Sequence, residues 1–243
     1  MVTFDGLGNF GRLGNGLFQI ASTIGIARKN GTDFTFPKWK HQEVFKKPLP
    51  NTELKTWEIV KEKNFHYDNY VLNPNYNYNL FGYWQSPKYW EHCKEEVLSY
   101  FQFTAELIRA QSLKLITIDT ASIHVRRGDY LGLQGYHPVL PLEYYNKAIQ
   151  QFPKEQKFIV FSDDIEWCKK HFLLDRFAFA NGSEVEDLCL MSLCTGHIIA
   201  NSSFSWWGAY LSGKGKVIAP INWFGSKANH NTKDLIPENW MRL

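Results

Sequence analysis

Apolar stretches alternate with helical patterns along the second half of this 243-residue chain, and this alternation constrains the fold more than any other feature. The stretches that have the length and composition of buried strands are 122–125, 157–162, 176–180, 197–200 and 216–219. Helical spacing of apolar residues separates them, beginning with Pro141 at a first helical position and ending with a helix predicted at 205–211. Strands that alternate with helices predict βαβ units and a parallel sheet.

The first third of the chain predicts a similar start. A short strand at 2–4 leads into a glycine-rich turn, a helix follows over 17–27 with Gly31 as its stop, and a second strand is predicted at 34–36. The pattern from 37 to 115 is weaker. We therefore divide the chain into an N-terminal half, 1–115, and a C-terminal half, 116–243, within a single α/β class.

Polar clusters follow the predicted strands, at the edge where parallel sheets bind their ligands. The clusters are Gly11-Arg-Leu-Gly-Asn15, His124-Val-Arg-Arg-Gly-Asp-Tyr130, Asp163-Asp164 and Asn201-Ser-Ser-Phe-Ser205. They combine guanidinium groups, carboxylates, hydroxyls and helix N-termini, which together suit a nucleotide diphosphate. Each cluster alone also has an ordinary interpretation, because paired arginines are often surface charges and Asp or Ser after a strand is often a helix N-cap.

Composition narrows the possible partners. The net charge of +3 is too small to favour nucleic acid. The sequence shows no signal-peptide pattern and no apolar run long enough to span a bilayer, so we expect a cytoplasmic protein. The four cysteines form no CxxC pair, so the cysteines give little support for a metal site or a disulfide.

Six segments, in order along the chain, resemble the α1,2-fucosyltransferases of glycosyltransferase family eleven in their short bacterial form. They are GRLGNGLFQIA (11–21), GYWQSPKYW (82–90), HVRRGDYL (124–131), FIVFSDDIEWC (158–168), EDLCLMSLCTGHIIANSSFSWWGAYL (186–211) and VIAPINWF (217–224). The HxRRGDY and SSFSWWGA strings are the most specific of these. Two departures stand out: Gly16 replaces the usual Gln after GLGN, and the chain is shorter than is typical, within 37–115.

The resemblance implies a GT-B architecture of two Rossmann-like halves, with the acceptor side in 1–115 and the donor side in 116–243. It implies that Arg126 binds the donor pyrophosphate. The further donor contacts that it implies are Gly11, Gly14, Asn15, His124, Arg127, Asp163, Ser202, Ser203 and Ser205. We expect Asp129 to be the general base, although its carboxylate could instead hold the arginines in place; Glu184, Glu186 and Asp187 are alternatives that helix capping also explains.

The function implied is inverting, metal-independent transfer of L-fucose from GDP-β-L-fucose to a galactoside hydroxyl, with an α1,2 linkage. No cofactor is expected, and the partners are the nucleotide sugar and a glycan acceptor. One alternative is the same fold acting on another GDP-sugar or forming another linkage. The other is a non-catalytic protein that binds a nucleotide sugar or a glycan. The sequence does not indicate the oligomeric state.

Overall fold

The computed structural model of the chain describes residues 1–53 and 56–243. The chain forms two compact units: unit 1 comprises Met1–Thr104 with His230–Pro237, and unit 2 comprises Ala105–Asn229 with Glu238–Leu243. The boundary between the two units lies between Thr104 and Ala105, earlier in the chain than the division at 115 and 116 suggested by the sequence. The reason is that a helix at Ala105–Ser112 packs against a helix of unit 2 at Glu184–Leu193. The acceptor and donor roles of the two halves stay predictions.

Unit 1 is built on a four-stranded sheet in which every pairing between strands is parallel. Its elements are β1 (Val2–Thr3), α1 (Leu13–Lys29), β2 (Phe34–Thr35), β3 (Glu58–Lys61), β4 (Tyr78–Phe81) and α2 (Lys94–Tyr100). The strand order is β2-β1-β4-β3. The carboxyl ends of β1 and β4 therefore lie side by side.

Helix α1 shows why the sequence folds as it does near the start of the chain. Nearly every residue of α1 is buried, and Arg28 and Lys29 lie in its last turn, where positive charge favours the helix dipole. Gly31 follows the C-cap with φ of +62°, a left-handed conformation that glycine adopts without strain. The predicted stop at Gly31 is confirmed, although the helix begins four residues earlier than the periodicity suggested.

Unit 2 contains a six-stranded sheet, again with parallel pairings throughout. Its elements are α3 (Ala105–Ser112), β5 (Thr120–Val125), α4 (Leu142–Ile149), β6 (Lys157–Ser162), α5 (Ile165–His171), β7 (Phe177–Phe179), α6 (Glu184–Leu193), β8 (Gly196–Ile198), α7 (Ser203–Ser212), β9 (Val217–Ala219) and β10 (Met241–Arg242). The order is β10-β9-β8-β5-β6-β7. All six residues of β5 are buried, including Thr120, Ser122 and His124, so both faces of the strand are covered.

The predicted α/β class with two parallel sheets is confirmed, while several local details and element bounds differ. Helix α7 begins at Ser203 and not at 205, and Pro141 is the N-cap of α4 instead of its first helical residue. Strand β3 lies in the weakly patterned region of the sequence. Its residues are mostly exposed, so the sequence shows no apolar alternation there. Along the described part of the chain, no helix is long and apolar enough to cross a bilayer.

Candidate active site

The carboxyl edge of the unit 2 sheet brings together clusters that are far apart in the sequence. Val125, at the end of β5, pairs with Ser162, at the end of β6, so Arg126 and Asp163 follow neighbouring positions. Strand β8 lies on the other side of β5 and leads to Asn201. The clusters after β5, β6 and β8 therefore meet at one edge, where parallel sheets bind their ligands.

Arg126 is held by two carboxylates. Its Nη1 donates to Oδ2 of Asp163 at 2.8 Å, and its Nη2 donates to Oδ1 of Asp129 at 2.6 Å. The guanidinium also lies 5.2 Å from the ring centroid of Tyr130, and only 13% of the side chain is exposed. Burial raises the pKa of Tyr130 to about 12, so this ring stays neutral at physiological pH. The site thus presents a cation in a fixed orientation.

Arg127 points to a different carboxylate. Its Nε donates to Oδ2 of Asp164 at 3.0 Å, and its guanidinium stacks 4.2 Å from the ring centroid of Trp167. Oδ1 of Asp164 accepts a hydrogen bond from the backbone N–H of Trp167 at 3.2 Å, so Asp164 is the N-cap of α5. The N-cap interpretation is thus confirmed for Asp164. It does not apply to Asp163, whose Oδ1 accepts the backbone N–H of Arg127 at 2.9 Å.

Gly128 makes the arrangement of the arginines possible. A Cβ atom at this position would lie 2.5 Å from Oδ2 of Asp163, the atom that binds Arg126. Any larger residue would push the carboxylate away from the arginine. Gly128 and Tyr130 both belong to the specific HxRRGDY string, but their roles depend on contacts that the string alone does not reveal.

The serine cluster forms the N-terminus of α7. Ser202 occupies the N-cap position, and its side chain makes no capping hydrogen bond to the part of the chain that the structure describes. Ser202 and Ser203 are partly exposed, whereas Ser205 is fully buried and its hydroxyl donates to the carbonyls of Ala200 and Ser202. Backbone N–H groups at such a helix start attract anions. His124 is also buried, with its ring 5.4 Å from that of Phe204.

Asp129 and the acidic residues of α6 differ in their surroundings. The Asp129 side chain is 56% exposed and binds Arg126, so the structure has the contact expected of a carboxylate that holds the arginines. Glu186 forms a capping box with Ser183, and these hydrogen bonds lower its pKa. Burial raises the pKa of Asp187 to about 6, while its Oδ1 accepts the Gly182 N–H. The role of Asp129 as general base stays a prediction.

The remaining predicted residues belong to unit 1. Gly11 has φ of +95°, and a Cβ there would collide with the side chain of Asn15. Oδ1 of Asn15 accepts a hydrogen bond from Nε2 of Gln85 at 3.0 Å, which links the glycine-rich turn to the GYWQS segment. Gly14 is buried in the first turn of α1. At Gly16 a Cβ would lie 3.5 Å from the Trp39 ring, in ordinary contact.

Comparison with known proteins agrees with the motifs at this site. The sequence model of glycosyl transferase family 11 matches residues 11–243. The chain belongs to this family. The predicted membership is confirmed, and every segment that carried the resemblance lies within the matched residues.

Proteins that are similar in sequence to this chain come from bacteria and mammals. The O-antigen biosynthesis glycosyltransferase WbnK of Escherichia coli is 36% identical over 72% of this chain and 64% of its own length. The alpha-1,2-colitosyltransferase of Escherichia coli is 37% identical over 67% of this chain and 61% of its own length. The galactoside 2-alpha-L-fucosyltransferase Sec1 of Mus musculus is 28% identical over 84% of this chain and 63% of its own length. The chain thus spans less than two thirds of these relatives.

Solved structures of related fold extend the comparison. Fucosyltransferase NodZ from Bradyrhizobium superposes with a TM-score of 0.55 at 14% identity, over 86% of this chain and 92% of NodZ. Arabidopsis thaliana FUT1 in complex with GDP superposes with a TM-score of 0.54 at 11% identity, over 99% of this chain and 75% of FUT1. The family 11 chain therefore has the GT-B-like fold class that the sequence predicted.

Proposed function

We propose that this family 11 chain transfers L-fucose from GDP-β-L-fucose to a galactoside hydroxyl and forms an α1,2 linkage with inversion at the anomeric carbon. The observation that carries the proposal is the fixed and largely buried guanidinium of Arg126 at the carboxyl edge of a parallel sheet. The names of the bacterial and mammalian relatives, which include α1,2-colitosyl and α1,2-fucosyl transfer, support the linkage.

The arginines suit the charge that develops in this reaction. As the bond between the fucose carbon and the phosphate oxygen breaks, negative charge accumulates on the leaving GDP. Arg126 would exchange its carboxylate partners for phosphate oxygens, which accept the same planar fork of N–H donors. A donor group that is oriented before the reaction stabilises such charge without reorganisation. The N-terminus of α7, which follows the neighbouring strand β8, would add backbone N–H groups.

Asp129 would then act as the general base. Once phosphate takes the place of its carboxylate on Arg126, Asp129 becomes able to accept the proton of the acceptor hydroxyl. Asp163 accepts hydrogen bonds here from the Arg126 guanidinium and from the backbone N–H of Arg127. With the donor bound, its carboxylate would instead accept hydrogen bonds from the N1 and N2 groups of guanine. We further propose that the reaction needs no metal and no cofactor, because the two arginines provide the positive charge that Mg²⁺ supplies in many transferases.

A second candidate is transfer of colitose, which the colitosyltransferase relative favours. Colitose is fucose without its 3-hydroxyl group. A site that hydrogen-bonds that hydroxyl rejects colitose strongly, because the buried partner would be left unpaired. A site without such a partner discriminates weakly between the two donors. GDP-mannose transfer and ligand binding without catalysis are the remaining alternatives.

The test is turnover with purified protein. The protein is incubated with lactose and, in parallel, GDP-fucose, GDP-colitose or GDP-mannose, and free GDP is measured. The linkage and anomeric configuration of the product are then assigned by NMR, with Arg126→Ala as the negative control. We expect GDP-fucose to give the highest kcat/KM and an α1,2-linked product. Preference for GDP-colitose would favour the second candidate, and binding of GDP without turnover on any donor would favour a non-catalytic protein.

A further inference from the structure

Three aromatic side chains meet at the surface of unit 1. The ring of Phe10 lies 5.2 Å from that of Phe81 and 4.9 Å from that of Tyr83, measured between centroids. Phe81 is 53% exposed and Tyr83 is 39% exposed, while Phe10 is half-buried. Aromatic rings mostly fill cores, so an exposed cluster of three is a candidate binding surface. We call Phe10, Phe81 and Tyr83 the aromatic platform.

The aromatic platform lies where a parallel sheet binds ligands. Phe81 is the last residue of β4, and Tyr83 follows it after Gly82. Phe10 lies in the glycine-rich turn after β1, the strand that neighbours β4. The carboxyl ends of parallel strands are the usual place for a ligand in such folds. The position of the platform therefore points to binding, in addition to packing.

Buried polar groups hold the platform in place. Nε2 of Gln19, a fully buried residue, donates to the Phe10 carbonyl at 2.7 Å. The carboxylate of Glu62 accepts the backbone N–H groups of Tyr83 and Trp84 at 2.7 and 2.8 Å. Trp84 has φ of +57°, a left-handed conformation that is rare for a bulky residue. Strain of this kind persists where the surrounding structure enforces it, and it clusters at ligand sites.

An exposed acidic residue contacts the strand that ends at Phe81. Asp5 is exposed, and its backbone N–H donates to Oδ1 of Asn79 at 2.9 Å. Asn79 and Phe81 are two residues apart on β4, so their side chains share one face of the strand. The edge that carries the platform therefore also offers an acceptor for hydroxyl groups. A flat apolar surface beside a hydrogen-bonding carboxylate matches a pyranose ring, which has an apolar C–H face and a rim of hydroxyls.

We propose that the aromatic platform binds the acceptor, with a galactose ring of the glycan stacked on Phe81 and Tyr83 and its hydroxyls directed to Asp5. This inference rests on the proposed function for the identity of the acceptor. Phe10 positions the other two rings, because it contacts both of them.

Kinetics with matched variants test the platform. Phe81→Ala removes a ring of the platform, and Tyr76→Ala removes an equally exposed ring, also 53% exposed, before the same strand. We expect Phe81→Ala to raise the KM for lactose by about tenfold, because part of an aromatic side chain no longer becomes buried on binding. The KM for GDP-fucose and the rate of GDP-fucose hydrolysis without acceptor should not change. Phe81→Trp should restore the KM for lactose, and Tyr76→Ala should match the unmodified protein.

Two results would overturn the proposal. One is an unchanged KM for lactose in Phe81→Ala. The other is a parallel loss in acceptor and donor parameters with a lower Tm, which would show that the rings only support the glycine-rich turn. If the unmodified protein transfers no sugar at all, the proposed function fails, and saturation-transfer NMR with methyl β-galactoside decides the platform separately. Saturation transfer from the protein to the galactoside that is lost in Phe81→Ala supports the platform. Absence of saturation transfer from the unmodified protein, or transfer that persists unchanged in Phe81→Ala, refutes it.

Discussion

Replacement of Arg126 is the sharpest probe of the candidate active site. If its guanidinium meets the charge on the leaving phosphate, Arg126→Ala should lower kcat by about 10²–10³, which corresponds to about 2.7–4 kcal/mol. Arg126→Lys keeps the charge but cannot form both the bond to Asp129 and the bond to Asp163 in their present directions. We therefore expect the lysine variant to lose nearly as much activity as the alanine variant.

The effect on folding should be smaller than the effect on catalysis. Arg126→Ala leaves two carboxylates without this partner, but Asp129 is 56% exposed and Asp163 keeps the N–H of Arg127. Water can solvate both, so the loss of folding free energy should be about 1–2 kcal/mol. For a chain of this length that corresponds to a Tm decrease of roughly 2–8 °C. The alanine variant should therefore be folded at assay temperature.

Steady-state kinetics with GDP-fucose and lactose, together with the Tm of each variant, separate the two roles. A low kcat in a protein with a near-normal Tm supports the catalytic assignment. Arg126→Ala with near-normal kcat/KM would refute the reasoning, because the phosphate would then have another ligand. A large decrease in Tm with activity preserved at low temperature would show that Arg126 is only a scaffold residue.

Four further outcomes are expected. Arg127→Lys should lower kcat less than Arg126→Lys, because stacking on Trp167 places Arg127 as a support; similar losses in both variants would contradict this. Turnover should survive excess EDTA, and rescue by Mn²⁺ after loss in EDTA would show that a metal carries the charge. Burial raises the pKa of Glu62 from 4.5 to about 7. The protonated carboxyl therefore stabilises the folded state at low pH, and this contribution, up to about 3 kcal/mol of unfolding free energy, is lost as pH rises from about 5 to above 7. Urea unfolding should show a flatter pH profile for Glu62→Gln, and coincident profiles would disprove the assignment. Gly25→Ala should lower the free energy of unfolding, measured by urea denaturation, by about 1–3 kcal/mol, because the new Cβ would overlap the Tyr89 carbonyl. Alanine otherwise favours helices, so a gain in stability would mean that α1 shifts to make room for the Cβ.

The sequence determined the type of fold and the place of the candidate site. Strand β6 is buried on both faces over residues 158–161, so it appears as a continuous apolar run in the sequence. Strand β5 is also buried, but its apolar residues alternate with Thr120, Ser122 and His124. The polar residues that follow the two strands are at the carboxyl edge by the geometry of parallel sheets alone. The family could also be predicted from the sequence, because its motifs are continuous segments that are recognised without knowledge of contacts.

Only the tertiary structure decided how these residues are paired. Asp163 binds the segment of Arg126 because Val125 and Ser162 are in register, and that register depends on the packing of the whole sheet. The exposed strand β3 has no apolar pattern, so its place in unit 1 follows from hydrogen bonds to β4. The rings of Phe10 and Tyr83 are far apart in sequence and meet through neighbouring strands. Contacts of this kind are absent from local patterns because they arise when distant segments pack, and the free energy of that packing is shared by the whole core.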